Sequence, residues 1–159
     1  MYNKKHLDNV QFTRTYKCAK EKKAKIKAII LSKGITSRDE INFKEKIRNQ
    51  LKNIQKASKI LGINKTSVFD FPDNRFDSVD ILEVIKVIEN EINNFKPDIV
   101  LTHHKNDLNV DHSITFNAVL TSLRPLPGKK QIQLLTFETP SSTEWQSSDT
   151  LAPFQSIGV

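Results

Sequence analysis

The chain is poor in cysteine and glycine and has no long apolar segment. Its single cysteine, Cys18, cannot form an internal disulfide, and its longest uncharged apolar run, Ala28–Leu31, is far shorter than the roughly 20 residues that a membrane span needs. The lysines near the N-terminus are not followed by the apolar segment of a secretory signal. We therefore expect a protein of the reducing cytoplasm that has no membrane span.

The few glycines also exclude several classes of enzyme. None of the four falls in G-x-G-x-x-G or G-x-x-x-x-G-K-[ST], the glycine-rich turns through which a backbone approaches nucleotide phosphates. The nucleophile elbow G-x-S-x-G of serine hydrolases is absent as well. The sequence therefore argues against a dinucleotide-binding enzyme, a P-loop NTPase and an α/β-hydrolase.

The positive charge is concentrated at one end of the chain. Residues 1–27 hold nine basic and two acidic side chains, so this segment alone accounts for the net charge of +7. The remaining 132 residues carry 16 basic and 16 acidic side chains. Although a basic arm can contact phosphates, a neutral body without zinc-finger spacing or an RNA-binding aromatic strand argues against a nucleic-acid partner. We interpret residues 1–23 as a solvated basic segment ahead of the folded domain.

Short apolar segments typical of buried strands alternate with segments of helical periodicity. Ser37 and Glu40 have capping-box spacing, which predicts a helix that starts at Ser37 and stops at Gly62. Ser78 is expected to cap the next helix, over Val79–Phe95. The predicted strands are Ala24–Leu31, Ser67–Phe71, Asp98–Thr102 and Gln131–Phe137, and the third predicted helix is Asp111–Ser122.

Helices between apolar strands require crossover connections, and such connections join parallel strands. We therefore predict an α/β domain over residues 24–146 with a mainly parallel sheet. Residues 147–159 show no periodicity and are predicted to form an irregular tail.

A polar loop after the third predicted strand holds most of the residues suited to chemistry. Ligands of open α/β sheets bind beyond the carboxyl ends of the strands, and imidazoles at a helix start are poorly placed for core packing. The loop is therefore a candidate metal-binding or acid–base site. Its polar members are His103, His104, Asp107, Asn109, Asp111 and His112.

Five segments within about residues 25–146 are distinctive when taken together. They are LSKGITSRDE, ILGI, FPDNRFDSVDILEVI, KPDIVLTHHKNDLNVDHSITFNAVLTSLRP and LLTFETPSSTEW. Together they resemble the PIG-L (LmbE-like) family of zinc-dependent de-N-acetylases. The resemblance implies a Rossmann-like three-layer α/β sandwich. It also implies hydrolysis of the N-acetyl group of an amino-sugar conjugate, commonly N-acetylglucosamine joined to a lipid, a thiol or a glycan.

The resemblance further implies roles for individual residues. In this family zinc (Zn²⁺) is held by the His and second Asp of an opening His-Pro-Asp-Asp-Glu motif and by the closing His of the later loop. His112 matches the closing ligand and Asp111 the carboxylate beside it, whereas Asn109 occupies the position where many relatives have an oxyanion-stabilising His. Near the N-terminus, His6 can be aligned with the first zinc ligand and Asp8 with the general base.

Two hypotheses about activity remain open from the sequence. Asn9 stands where the second metal-binding Asp would be, and no glycine-rich turn follows it. The chain is either an active zinc hydrolase or a non-catalytic remnant, truncated at both ends, that lacks the first strand of the sheet and part of the metal site. Val10–Tyr16 is the alternating segment that could supply a substitute strand.

The substrate is expected to contact a second loop at the same edge of the sheet. We predict that Asp73 and Arg75, in FPDNRFDS, bind sugar hydroxyls together with His104 and Asp107 of the histidine-rich loop. The alternative for the FPDNRFDS loop is that Asp73 and Asn74 only form a turn.

Overall fold

The computed structural model describes Glu21, residues 23–34, residues 43–137 and Thr139. The chain divides into two compact units at Phe76 and Asp77, and among the described residues each unit has its own two-stranded parallel sheet. The predicted α/β class with parallel strands is confirmed. The predicted substitute strand Val10–Tyr16 lies outside the described residues, so the missing first strand stays a prediction.

The first unit is a strand–helix–strand arrangement. It consists of β1 (Lys27–Ile30), α1 (Phe43–Leu61) and β2 (Lys65–Val68). The two strands pair in parallel from Lys27 opposite Lys65 to Ile30 opposite Val68. Parallel strands cannot be joined by a tight turn, and here the crossover connection between them contains α1.

The strands of this unit are bounded by their pairing and not by their hydropathy. β1 is shorter than the predicted Ala24–Leu31, because Asn64 engages the backbone of Ile26: its Oδ1 accepts from Ile26 N at 2.7 Å and its N donates to Ile26 O at 2.9 Å. The predicted strand Ser67–Phe71 is wrong at both ends, since β2 begins at the polar Lys65 opposite β1 and ends at Val68.

The end of α1 follows the predicted glycine stop. Gly62 has φ +71°, a left-handed conformation that costs glycine little, and Ile63 N donates to Ser58 O at 2.9 Å. These contacts satisfy carbonyls of the last turn. The predicted start at Ser37 lies outside the described residues.

The second unit contains α2 (Ile81–Phe95), β3 (Ile99–His103), α3 (Val110–Ser122) and β4 (Gln133–Phe137). β3 and β4 pair in parallel, with Ile99 opposite Gln133 and His103 opposite Phe137. Apolar side chains from both helices and β4 form its core. They are Val84, Ile85, Ile88, Phe116, Ala118, Val119 and Leu134.

Contacts between α2 and α3 hold the helices of this unit together. Ser122 Oγ donates to Ile85 O at 3.4 Å, and Arg124, just beyond α3, forms an ion pair with Glu89 at 2.6 Å. Lys96 is the C-cap of α2, with φ 53°, and donates its N–H to Ile92 O at 2.7 Å. No helix among the described residues is both long enough and apolar enough to cross a membrane.

The predicted cap of α2 is wrong by two residues. Ser78 lies in a short 3-10 turn, Phe76–Ser78, and the helix starts after Asp80, whose Oδ1 accepts from Leu82 N at 2.9 Å. Both residue types cap helices well, so the helical periodicity alone could not separate them. Because Ser78 is the last residue of the 3-10 turn, it cannot cap α2, and Asp80 takes that position.

We predict that Asp80→Ala lowers the free energy of unfolding by about 1 kcal/mol, because Leu82 N–H loses its acceptor. Asp80→Asn is the matched control, since an amide oxygen caps almost as well and should restore most of the loss. Chemical denaturation followed by circular dichroism measures both changes. Equal stabilities of Asp80→Ala and the unmodified chain would contradict the assigned cap.

Candidate metal centre

The carboxyl end of β3 presents an imidazole next to the histidine-rich loop. His103 is the last residue of β3, and its ring packs on the ring of Phe137 in β4, with 4.9 Å between the centroids. The register of the parallel pair sets this contact, because His103 lies directly opposite Phe137. His103 therefore starts the loop from a fixed position at the sheet edge.

The loop between β3 and α3 is held by hydrogen bonds that its backbone N–H groups donate to its own side chains. His104 Nδ1 accepts from Asn106 N at 3.2 Å, and Asp107 Oδ1 accepts from Asn109 N at 2.9 Å. Asn109 is the N-cap of α3, and its Oδ1 accepts from Asp111 N at 2.9 Å and from His112 N at 3.2 Å. Each bond spans two or three residues, so the loop is a series of tight turns leading into the helix.

These turns bring two imidazoles and one carboxylate together. The rings of His103 and His112 stack with their centroids 3.9 Å apart and their planes within 2°. His112 Nδ1 lies 3.1 Å from Oδ2 of Asp107, whose side chain is completely buried. One possible ligand atom from each of the three residues lies within 4.8 Å of the others, and we call His103, Asp107 and His112 the metal triad.

The metal triad fits a zinc ion in two respects: the chemistry of its ligand atoms and the lack of hydrogen bonds at two of its nitrogens. Nδ1 of His103 and Nδ1 of His112 are both buried, and within the described part of the chain neither makes a hydrogen bond: the 3.1 Å approach of His112 Nδ1 to Asp107 Oδ2 brings opposite charges close but lacks hydrogen-bond geometry. Buried polar atoms are rarely left without a hydrogen bond, and a cation between these three side chains would supply the missing partner. Two imidazoles and a carboxylate are a common donor set of catalytic zinc, which generally takes three protein ligands.

Electrostatics keep His103 in the form that binds metals. Burial, and to a lesser extent the neighbouring His112, lower the pKa of His103 from 6.5 to about 4, while the charge of Asp107 opposes the shift. The imidazole is therefore neutral at pH 7. A neutral imidazole has a lone pair available for coordination, whereas a protonated one does not.

The structure places the predicted residues of this loop in different positions. His112 and Asp107 belong to the metal triad, and the predicted contact of Asp107 with substrate stays a prediction. The oxygen of Asn109 caps α3, and Asp111 is buried in the first turn of that helix. His104 is buried and lies outside the triad.

His103 is the residue that sequence reasoning did not single out. The sequence placed it in the loop as one of three neighbouring histidines, whereas the structure places it in β3. Its signal was its position directly at the carboxyl end of a predicted strand, where side chains face a site. That signal could not separate it from His104, because the end of β3 was predicted one residue early.

The other predicted residues belong to other segments of the chain. Asp73 and Arg75 belong to the first compact unit, in the segment between β2 and the 3-10 turn. Their binding of sugar hydroxyls stays a prediction. His6 and Asp8, the candidate zinc ligand and general base of the opening motif, lie outside the described residues.

Comparison with known proteins links this arrangement to one family. The sequence profile of PIG-L, described as GlcNAc-PI de-N-acetylase, matches residues 7–123, a stretch that includes Asp8 and the whole metal triad. No curated protein sequence matches the chain.

Three solved structures share the fold. The N,N'-diacetylchitobiose deacetylase of Pyrococcus horikoshii has a TM-score of 0.66 at 14% identity and matches over 82% of this chain and 56% of its own. The 4-carboxy-2-hydroxymuconate hydratase GalB of Pseudomonas putida KT2440 has a TM-score of 0.63 at 17% identity, over 84% of this chain and 62% of its own.

The third structure is the A40926 pseudoaglycone deacetylase Dbv21, with a TM-score of 0.55 at 17% identity, over 77% of this chain and 56% of its own. At such identities the likeness concerns the fold alone. The chain thus spans between 56% and 62% of the length of these structures.

We predict that the metal-free chain binds one zinc ion and that His103→Ala, Asp107→Ala and His112→Ala each weaken binding at least about tenfold. His104→Asn is the matched control, because an asparagine oxygen can accept the Asn106 N–H as His104 Nδ1 does. Competition with a chromophoric chelator measures the affinities. Equal weakening by His104→Asn would contradict the assignment of the triad.

We also predict that the metal-free chain loses stability as the pH falls from 6.5 towards 4. In this window the unfolded His103 binds a proton and the folded one does not, so protons favour the unfolded state. The loss should reach roughly 2 kcal/mol at the acid end, less than the full pKa shift would give because the ring keeps some contact with water.

The control for this effect is His103→Phe, which keeps an aromatic ring against Phe137 and removes the titrating group. Urea titrations at several pH values in the presence of a chelator should give a flatter pH dependence for this variant. Identical pH dependences of the two chains would show that His103 does not carry the effect.

Proposed function

The chain belongs to the PIG-L family, described as GlcNAc-PI de-N-acetylase, and from this membership we propose that it is a zinc-dependent hydrolase that removes the acetyl group from an N-acetylated amino sugar. The observation that carries the proposal is the metal triad, in which His103, Asp107 and His112 offer two nitrogens and one oxygen to a single ion. The deacetylase activities named for two of the similar structures support the same reaction class.

The proposed reaction is the hydrolysis of an amide. The oxygen of a water molecule bonds to the acetyl carbon, the carbon–nitrogen bond breaks, and the nitrogen leaves with a proton as the free amine of the sugar, together with acetate. A zinc ion in the triad would polarise the acetyl carbonyl and acidify the water.

Within this proposal the two carboxylate oxygens of Asp107 have different partners. Its Oδ1 fixes the turn at Asn109, while its Oδ2 faces His112. The carboxylate lies beside the imidazole and would supply negative charge to a cation held by the triad. His103, neutral at pH 7, completes the set from the end of β3.

Roles for the remaining candidates are proposed from the family resemblance. Asp111 lies in the helix turn that carries His112 and is proposed as a catalytic carboxylate. Asp8 is proposed as the general base, and Asn109 as a hydrogen-bond donor towards the developing oxyanion. Asp73 and Arg75 are proposed to bind the sugar hydroxyls.

The alternative of a non-catalytic remnant depended on a metal site with one certain ligand. The triad weakens that argument, because three donor groups come from residues 103–112 without any contribution from the opening motif. A zinc-binding chain that hydrolyses no N-acetyl sugar would restore the remnant hypothesis.

We predict that the zinc-loaded chain releases amine from N,N'-diacetylchitobiose or from another N-acetylglucosamine conjugate. Chelation should abolish the release and zinc should restore it, while His112→Ala should reduce the rate by more than about a hundredfold. A fluorogenic amine reagent measures the product, and acetate is quantified independently. His104→Asn, which keeps the triad, is the control and should remain active.

The proposal is refuted if zinc-loaded chain, correctly folded by circular dichroism, releases no amine from any of these conjugates. It is also refuted if His112→Ala releases amine at the unmodified rate, because the reaction would then not depend on the triad.

A further inference from the structure

The exposed face of α1 carries a continuous row of cations. Successive members are separated by four, four, four and three residues, a spacing that keeps side chains on one side of a helix. All of them are exposed, and the row extends over about 22 Å along the helix axis. We call this row the basic stripe, and it consists of Lys44, Arg48, Lys52, Lys56 and Lys59.

The basic stripe is unfavourable for the helix that bears it. Like charges four residues apart repel each other, and Glu45 is the one acidic residue in α1. Within the described residues of this unit, no carboxylate lies within ion-pair distance of a stripe residue. Among the described residues, the one acidic side chain on this side of the helix is Glu45, three residues before Arg48, and no ion pair offsets the repulsion along the rest of the stripe. A surface of negative charge would offset it.

The packed face of α1 fixes the orientation of the stripe. Ile47, Leu51 and Ile54 are half-buried, and Ser58 Oγ forms a hydrogen bond with Thr66 Oγ1 of β2 at 2.9 Å. Because this face packs towards the sheet of its unit, the stripe from Arg48 onwards is held away from the sheet, while Lys44 lies at the edge of the packed face.

An aliphatic residue lies at the C-terminal end of the stripe. Ile60 is 79% exposed and, by helical periodicity, lies about 40° around the helix from Lys56 and about 120° from Ile54, so it flanks the basic stripe on the side away from the packed face. A phosphate backbone gives such a side chain nothing to contact. The boundary between lipid headgroups and acyl chains offers both negative charge and apolar contact, as amphipathic helices at membrane surfaces use them.

We propose that the basic stripe and Ile60 form a docking surface for the anionic face of a lipid bilayer, which the chain binds peripherally. Clusters of four to eight basic residues on an amphipathic helix are typical of binding to phosphatidylserine or phosphoinositides. Lysines, which make up four of the five stripe residues, act as flexible point charges suited to a fluid headgroup layer. The proposal does not depend on deacetylation.

The test is sedimentation of the full chain with vesicles. We expect binding to phosphatidylcholine vesicles that contain phosphatidylserine, and none to pure phosphatidylcholine. The triple variant Arg48→Gln, Lys52→Gln, Lys56→Gln should bind roughly a hundredfold more weakly, as the loss of three surface cations predicts. High salt should have the same effect, because it screens exposed charges.

The matched control removes three other exposed lysines in Lys86→Gln, Lys105→Gln, Lys129→Gln, which gives the same net charge. This control should bind vesicles nearly as well as the unmodified chain. Ile60→Ser should weaken vesicle binding and leave any binding to a DNA duplex or to heparin unchanged.

Three outcomes would overturn the proposal. Equal weakening by both triple variants would mean that net charge alone drives binding. Binding to DNA or heparin without binding to anionic vesicles would assign the stripe to another polyanion. Absence of binding to anionic vesicles by the folded chain at low salt would leave the stripe without the proposed role.

Discussion

The buried carboxylate of Asp107 is the constraint on which the second unit's site depends. A carboxylate without contact to water is costly unless it is compensated, and here each oxygen has its own neighbour. Oδ1 accepts from the backbone of Asn109, whose side chain in turn caps α3, and Oδ2 faces His112 in the first turn of that helix. The turn, the helix start and the ligand position are therefore coupled, and a change at residue 107 would disturb all three.

The sequence predicted those features whose signals are local. The α/β alternation, the glycine stop at Gly62 and the helix start beside His112 each arise from patterns within a few residues. The failures involve partners distant in sequence: β2 takes its ends from pairing with β1, and His103 belongs to β3 because its ladder with β4 extends to Phe137. The shift of the α2 cap from Ser78 to Asp80 has another origin, since two good capping residues competed and a 3-10 turn decided between them.

The fold by itself leaves the reaction undecided. The similar structures include two deacetylases and a hydratase, at 14% to 17% identity. Function on a shared fold resides in the site, so the donor set of the triad matters more for this chain than its overall likeness. Two imidazoles and a buried carboxylate could hold a metal ion, and such an ion would supply the activated water from which amide hydrolysis or a hydration can begin. Residues beyond the triad must therefore determine which substrate binds and which of these two reactions follows.

The short span of the loop's hydrogen bonds has a consequence for the order of folding. Turns closed over two or three residues have low contact order and little loop entropy to overcome, so the segment from His104 into α3 can form early. The ring of His103 finds Phe137 only after β4 has joined β3, a contact between residues 34 positions apart. His103 would thus be the last of the three ligands to reach its position. A metal ion would then bind after the fold has formed, and the stability it adds would depend on its affinity and concentration.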